Sequence, residues 1–141
     1  MPRVTGPGTA PEFLFLPVQI LVVDDDARSR RGMVRVLEQR GYSAVEAASG
    51  EEALALLEQT HIPVDLVLTD VQMPGLGGEA LVARVRALWP RMPVLYVSGD
   101  ETFAALAEEG VPATRFLSKP FTPHDLAQVI EQLLVEVELE A

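Results

Sequence analysis

Val-Asp-Leu-Val-Leu-Thr-Asp-Val-Gln-Met-Pro-Gly-Leu-Gly-Gly, residues 64–78, is the stretch whose reading decides the fold. The apolar run Leu66 to Leu68 leads straight to one carboxylate, Asp70. Pro74, Gly75, Gly77 and Gly78 then stop the strand and open a loop. A near-continuous apolar run is the pattern of a strand buried on both faces of a parallel sheet. An acid at its carboxyl end sits where open α/β sheets bind ligands. The stretch therefore predicts a rigid strand that presents Asp70 at the sheet edge.

Outward from this strand, apolar runs and helical periodicities alternate. Val18 to Val23 is rich in valine and isoleucine, a strand signal, and ends in Asp24, Asp25 and Asp26. Asp26 is placed to cap a helix whose apolar face is Met33, Val34 and Leu37, with Gly41 as its left-handed stop. Tyr42 to Ala47 reads as a second strand. Ser49 and Glu52 read as a capping box opening a helix through Leu54 and Leu57. The central strand, Val64 to Thr69, follows. Gly78 to Leu88 reads as a helix with Leu81, Val82, Val85 and Leu88 on one face, closed by Pro90 and Pro93. Val94 to Val97 is a fourth strand ending at Ser98, Gly99 and Asp100. Glu101 to Glu109 reads as a short helix stopped by Gly110, and Ala113 to Leu117 as a fifth strand ending at Ser118, Lys119 and Pro120. Thr122 caps a last helix, with Pro123 at its first position, running to about Glu138. Five strands alternating with five helices mean a doubly wound α/β fold, a parallel sheet with helices on both faces.

Bulk properties narrow the function. At 141 residues the chain is long enough for one domain with a real core. A net charge of −10 argues against nucleic-acid and anionic-membrane binding, and no apolar stretch approaches the roughly 20 residues of a membrane span. The absence of cysteine excludes disulfides, thiol nucleophiles and zinc–thiolate sites, and His61 and His124 are too few for a histidine-rich metal site. Residues 1–17, with Pro2, Pro7, Pro11 and Pro17 and the short apolar patch Phe13 to Leu16, read as a tail or an expression remnant of a cytoplasmic protein rather than a secretory signal.

In a parallel sheet all carboxyl ends share one rim. Asp24, Asp25, Asp70, Ser98 and Lys119 therefore converge there. Carboxylates a few Å apart repel by roughly 4 kcal/mol per pair at an effective dielectric near 20. A hard divalent cation relieves that, and magnesium suits carboxylates with phosphate and water. The grouping is that of a phosphoryl-transfer site: one acid attacks phosphorus while Lys119 and Ser98 hold phosphoryl oxygens. Lys119 is the only lysine against ten arginines, which points to a position that requires a compact, flexible point charge.

Ile-Leu-Val-Val-Asp-Asp-Asp (20–26), Asp-Val-Gln-Met-Pro-Gly (70–75), Val-Ser-Gly (97–99) and Leu-Ser-Lys-Pro-Phe (117–121) together resemble the receiver domain of bacterial response regulators. The resemblance spans residues 18–139. It implies a flavodoxin-like fold with strand order 2-1-3-4-5, and Asp70 as acceptor of a phosphoryl group from a sensor histidine kinase or histidine phosphotransfer protein. It also implies Mg2+ (or Mn2+) held by Asp25, Asp70 and the Gln72 backbone carbonyl, with Asp24 acting through a metal-bound water. Ser98 and Phe116 fill the family's switch positions, and Gln72, Gly99 and Asp100 flank the attack path and tune hydrolysis. Lys119-Pro120 becomes a candidate cis peptide. The family further implies a switchable surface on the fourth helix and fifth strand, with room for a homodimer. The motifs are similar to receivers attached to hybrid histidine kinases, so either a stand-alone regulator or an excised domain is expected.

Two alternatives remain at this point. A phosphatase of the haloacid dehalogenase type shares the nucleophile, metal, hydroxyl and lysine, but requires an acid where Gln72 stands. A pseudo-receiver would bind partners without phosphorylation. Arg28, Arg30, Arg31, Arg35 and Arg40, on or beside the first helix, are either a solvated face or a docking face for an acidic kinase bundle. His61 and His124 are given no role.

Overall fold

The computed structural model describes residues 17–59, 63–108 and 110–140. Residues 1–16 of the N-terminal tail, His61 and Glu109 thus lie outside the described residues. Five strands, β1 (Gln19–Val23), β2 (Ser43–Ala47), β3 (Leu66–Asp70), β4 (Val94–Ser98) and β5 (Thr114–Ser118), form one sheet in the order β2-β1-β3-β4-β5, every neighbour parallel. The helices are α1 (Ala27–Gln39), α2 (Gly50–Gln59), α3 (Gly78–Leu88), a 3-10 helix (Glu101–Ala107) and α4 (Pro123–Glu140). This is the doubly wound sheet that the alternation of runs predicts, in the strand order that the resemblance implies.

The three central strands, β1, β3 and β4, read as apolar runs because both of their faces are covered. On one face Leu21, Val23, Val67, Val94 and Tyr96 pack with Ala53 and Leu54 of α2 and Leu81, Val82 and Val85 of α3. On the other, Ile20, Val22, Leu66, Leu68, Leu95 and Val97 pack with Met33, Val34 and Leu37 of α1 and Leu126, Ile130 and Leu133 of α4. Alternate residues of each strand therefore serve opposite layers. Fully burying each of the large aliphatic side chains among these contributes roughly 1.5–3 kcal/mol, which anchors the strands and with them the positions of their carboxyl ends.

Local signals set the helix boundaries. Asp26 caps α1 by accepting from the Arg28 and Ser29 N–H groups at 2.9 and 3.2 Å. Thr122 Oγ1 accepts from Asp125 N–H at 3.0 Å, and Asp125 Oδ2 accepts from Thr122 N–H at 3.1 Å, a reciprocal cap on α4. Ser49 Oγ accepts from Glu52 N–H at 3.0 Å, whereas Glu52 reaches back one residue further than expected, to Ala48 N–H at 2.6 Å. Gly41 and Gly110 take positive φ, +88° and +96°. The Lys119-Pro120 peptide is cis.

One element differs in kind. The short helix expected over 101–109 is a 3-10 helix that ends at Ala107 and contains no buried residue. Phe103, Leu106 and Ala107 are only half-buried, so this stretch has too little buried apolar surface to drive a full α-helix. Two boundary shifts bear on function: β3 extends through Asp70, which pairs with Val97, and β4 through Ser98, which pairs with Ser118. Both polar residues are thus held by the ladder itself.

Candidate metal and phosphoryl site

Three carboxylates meet at the carboxyl rim of the sheet. Ligand oxygens of Asp24, Asp25 and Asp70 all lie within 4.8 Å of one another. β1 delivers the first two and the adjacent β3 delivers the third. Asp24 is fully buried, Asp70 half-buried and Asp25 exposed. From the end of β5 the Lys119 ammonium reaches in, 3.0 Å from Asp24 Oδ2 and 3.5 Å from Asp70 Oδ2. The strand that carries Lys119 is tied to β4 at this point, with Lys119 N–H donating to the Ser98 carbonyl at 2.8 Å.

Each acid has different surroundings. Asp24 uses both oxygens on protein donors, Oδ2 on Lys119 and Oδ1 on Asp26 N–H at 2.9 Å. Asp70 Oδ1 accepts from Gln72 N–H at 3.3 Å. The Asp25 carboxylate has no hydrogen bond or ion pair among the described residues. Burial raises the Asp70 pKa; the Lys119 charge pulls it down and the Asp24 charge pushes it up, with a net rise. For Lys119, burial pulls down, but the hydrogen bond and charge of Asp24, joined by the charge of Asp70, outweigh it and raise the ammonium above the usual lysine range. The four groups carry a formal charge of −2. An all-oxygen, anionic cluster with one exposed carboxylate fits a hard divalent cation.

Ser98 is buried at the β4 end, and its Oγ accepts from Asp100 N–H at 3.0 Å. Gly99 is exposed, and a Cβ there would meet nothing within 4 Å. Gln72 is exposed. Asp100 turns toward the 3-10 helix and caps it, Oδ1 accepting from Thr102 N–H at 2.9 Å and Thr102 Oγ1 at 2.7 Å; these bonds lower its pKa. Phe116 lies on β5, half-buried against the core layer of α2 and α3.

Two features were not legible as parts of the site. Gly78 opens α3 directly against the end of β3: a Cβ there would collide with the Asp70 carbonyl oxygen and lie 3.0 Å from Val71 Cα. Arg30 sends Nη1 to the Asp24 carbonyl at 2.7 Å and Nε to Glu46 Oε1 at 2.9 Å. Arg30 therefore does not belong to an exposed basic face, and Glu46, the one charged residue of β2, is the signal for its partner. Arg28, Arg31, Arg35 and Arg40 are exposed.

The profile of the response regulator receiver domain family matches residues 20–131, and the chain belongs to that family. Among curated relatives it is 38% identical over 120 residues to the sensor kinase CckA of Brucella abortus (strain 2308), covering 82% of this chain and 12% of that kinase. It is 32% identical over 118 residues to the response regulator receiver protein CpdR of the same organism, covering 83% of this chain and 97% of CpdR. Among solved structures, the receiver domain of the hybrid histidine kinase CckA superposes with a TM-score of 0.69 at 37% identity, covering 82% of this chain and 98% of that one. Membership implies two-component signalling with a histidine kinase as partner, in a family that is not one of classical enzymes. No helix among the described residues is long and apolar enough to cross a membrane.

Proposed function

We propose that this chain is a phospho-accepting receiver, spanning residues 18–139, in which Asp70 takes a phosphoryl group from a phosphohistidine of a sensor kinase or phosphotransfer protein. The observation that carries the reading is the Lys119 ammonium lying between a buried acid, Asp24, and the strand-end acid Asp70. Asp25, Asp70 and the Gln72 carbonyl would hold Mg2+ or Mn2+, with Asp24 acting through a bound water. When bound, the cation offsets negative charge on the acids and the incoming phosphoryl oxygens.

An Asp70 carboxylate oxygen forms the new bond to phosphorus as the bond from phosphorus to the donor imidazole breaks; the imidazole leaves with its electron pair and takes a proton from water. Lys119 and Ser98 bind phosphoryl oxygens. Gly99 leaves the product open to water, and Gln72 and Asp100 at the rim tune its hydrolysis. The chain thus catalyses only its own phosphorylation and dephosphorylation. Once Lys119 and Ser98 face a phosphoryl group, the ends of β4 and β5 are drawn toward Asp70. The 3-10 helix between them has no buried residue, so it is the segment whose population shifts most readily, with Phe116 beside it. That surface offers the output contact and a homodimer interface. Arg28, Arg31, Arg35 and Arg40 form the face for an acidic kinase bundle. The similarity to a hybrid-kinase receiver supports the partner class.

Acetyl phosphate with Mg2+ tests this by intact mass. A gain of one phosphoryl group, absent in Asp70→Asn and in EDTA, is expected. No gain leaves the pseudo-receiver reading, and sustained turnover of p-nitrophenyl phosphate would favour a phosphatase.

A further inference from the structure

Within α1, Arg30 turns inward: its side chain is 15% exposed, against 73% for its neighbour Arg31. The guanidinium touches three elements at once. It stands on α1, donates from Nη1 to the Asp24 carbonyl at the end of β1 (2.7 Å), and donates from Nε to Glu46 on β2 (2.9 Å). That carbonyl belongs to the peptide unit joining Asp24 to Asp25. The orientation of this one plane sets the direction in which both acids leave the backbone.

We propose that Arg30 is a positioning residue for the cation site, fixing the Asp24–Asp25 peptide, with Glu46 fixing Arg30 in turn. The inference rests on the reading of the acidic triad as a Mg2+ site. Asp24 has side-chain restraints of its own, from Lys119 and from Asp26 N–H, and its N–H donates to the Ala47 carbonyl at 3.2 Å. Asp25 has no such side-chain restraint among the described residues, so its place in the triad is dictated by the backbone that Arg30 holds. A planar fork with donors on two sides meets a carbonyl and a carboxylate together; a lysine ammonium at the same position meets one of them well.

Charge alone does not account for Arg30. A cation beside a cluster that collects Mg2+ opposes that collection, so an electrostatic role and a positioning role predict opposite signs. Without the guanidinium, a purely electrostatic Arg30 leaves a tighter Mg2+ site. A positioning Arg30 leaves a weaker one, because residues that orient metal ligands typically contribute roughly 10–100-fold to affinity.

The experiment is a Mg2+ titration of the metal-free full chain followed by backbone amide NMR shifts, on wild type, Arg30→Met and Arg30→Lys, with urea midpoints in EDTA recorded alongside. Expected is a dissociation constant about tenfold or more weaker in Arg30→Met and intermediate in Arg30→Lys, in proteins whose spectra stay dispersed. Equal or tighter Mg2+ binding by Arg30→Met overturns the inference, as does a lowered urea midpoint with unchanged affinity, which marks a merely structural role. If Arg30→Met does not fold, Arg30→Lys decides: weaker binding with the charge retained supports positioning, and wild-type affinity overturns it. A wild type that does not respond to Mg2+ removes the site reading and this inference together, whereas a responsive wild type with unaffected variants removes the inference alone.

Discussion

Replacing Lys119 with methionine keeps the stem and removes the ammonium. In the metal-free protein that ammonium is 3.0 Å from Asp24 Oδ2 and 3.5 Å from Asp70 Oδ2, an attraction of about 5 kcal/mol to each at an effective dielectric near 20. The three acids, with ligand oxygens within 4.8 Å of one another, repel by about 3.5 kcal/mol or more per pair on the same scale. The variant cannot lose the whole of that attraction. One acid of the cluster can take a proton, and protonating an ordinary carboxylate at pH 7 costs about 4 kcal/mol, which sets the ceiling. Breaking a buried pair by removing one partner usually costs about 3–5 kcal/mol. Lys119→Met should therefore destabilise the metal-free fold by about 2–4 kcal/mol. Mg2+ should reverse part of this, because the cluster goes from a formal −2 to −3 and binds the cation more tightly, and a tighter ligand stabilises more by mass action. The assay is urea unfolding by circular dichroism at pH 7, in EDTA and in saturating Mg2+. A wild-type midpoint in EDTA, or a deficit that Mg2+ does not narrow, would refute the reasoning.

Burial raises the Asp70 pKa above its unfolded value, so the folded state binds more protons and the charged form opposes folding. Asp70→Asn should then be more stable than wild type in EDTA at pH 7, with the gap closing as pH falls through the raised value toward the unfolded range near 3.8; matched stabilities at pH 7 would contradict this in urea melts. Gly78→Ala places a Cβ against the Asp70 carbonyl and should cost about 1–3 kcal/mol, with slower labelling of Asp70 by acetyl phosphate, read by intact mass over time. Asp26→Ala removes the α1 cap and should cost about 1 kcal/mol; an unchanged melting curve would rule out the cap as a support. Arg35→Glu should slow transfer from a phosphorylated kinase while leaving acetyl phosphate labelling intact, and equal effects on both donors would mark this face as merely solvated.

How much of this was readable in the chain depends on the kind of signal. Strands buried on both faces leave unbroken apolar runs, and parallel order then forces Asp24, Asp70, Ser98 and Lys119 onto one rim; the convergence follows from topology with no side-chain geometry needed. Caps read well because they are local: Asp26 and Thr122 act within three residues of themselves. Contacts between elements did not read. Arg30 among four other arginines is indistinguishable in sequence, yet it alone of the five is not exposed, because Glu46 stands 16 positions away on a neighbouring strand. Gly78 carries no sequence signal beyond the end of a loop or the start of a helix, because the close approach of α3 to the end of β3 is a distance in space. The 3-10 geometry of 101–107 is hidden for another reason: alanine-rich composition favours helix, while the shallow burial of Phe103 and Leu106, a matter of packing, decides its form.

The central claim is that Asp70, rather than a neighbouring acid, is the phosphoryl acceptor of a cation-dependent site. Treating the protein with acetyl phosphate and Mg2+, reducing the acyl phosphate with borohydride and mapping the product by peptide mass spectrometry reads that claim at single-residue level. The account predicts homoserine in place of Asp70 and none when EDTA replaces Mg2+; homoserine at position 24 or 25, or no conversion in a folded protein, would contradict it.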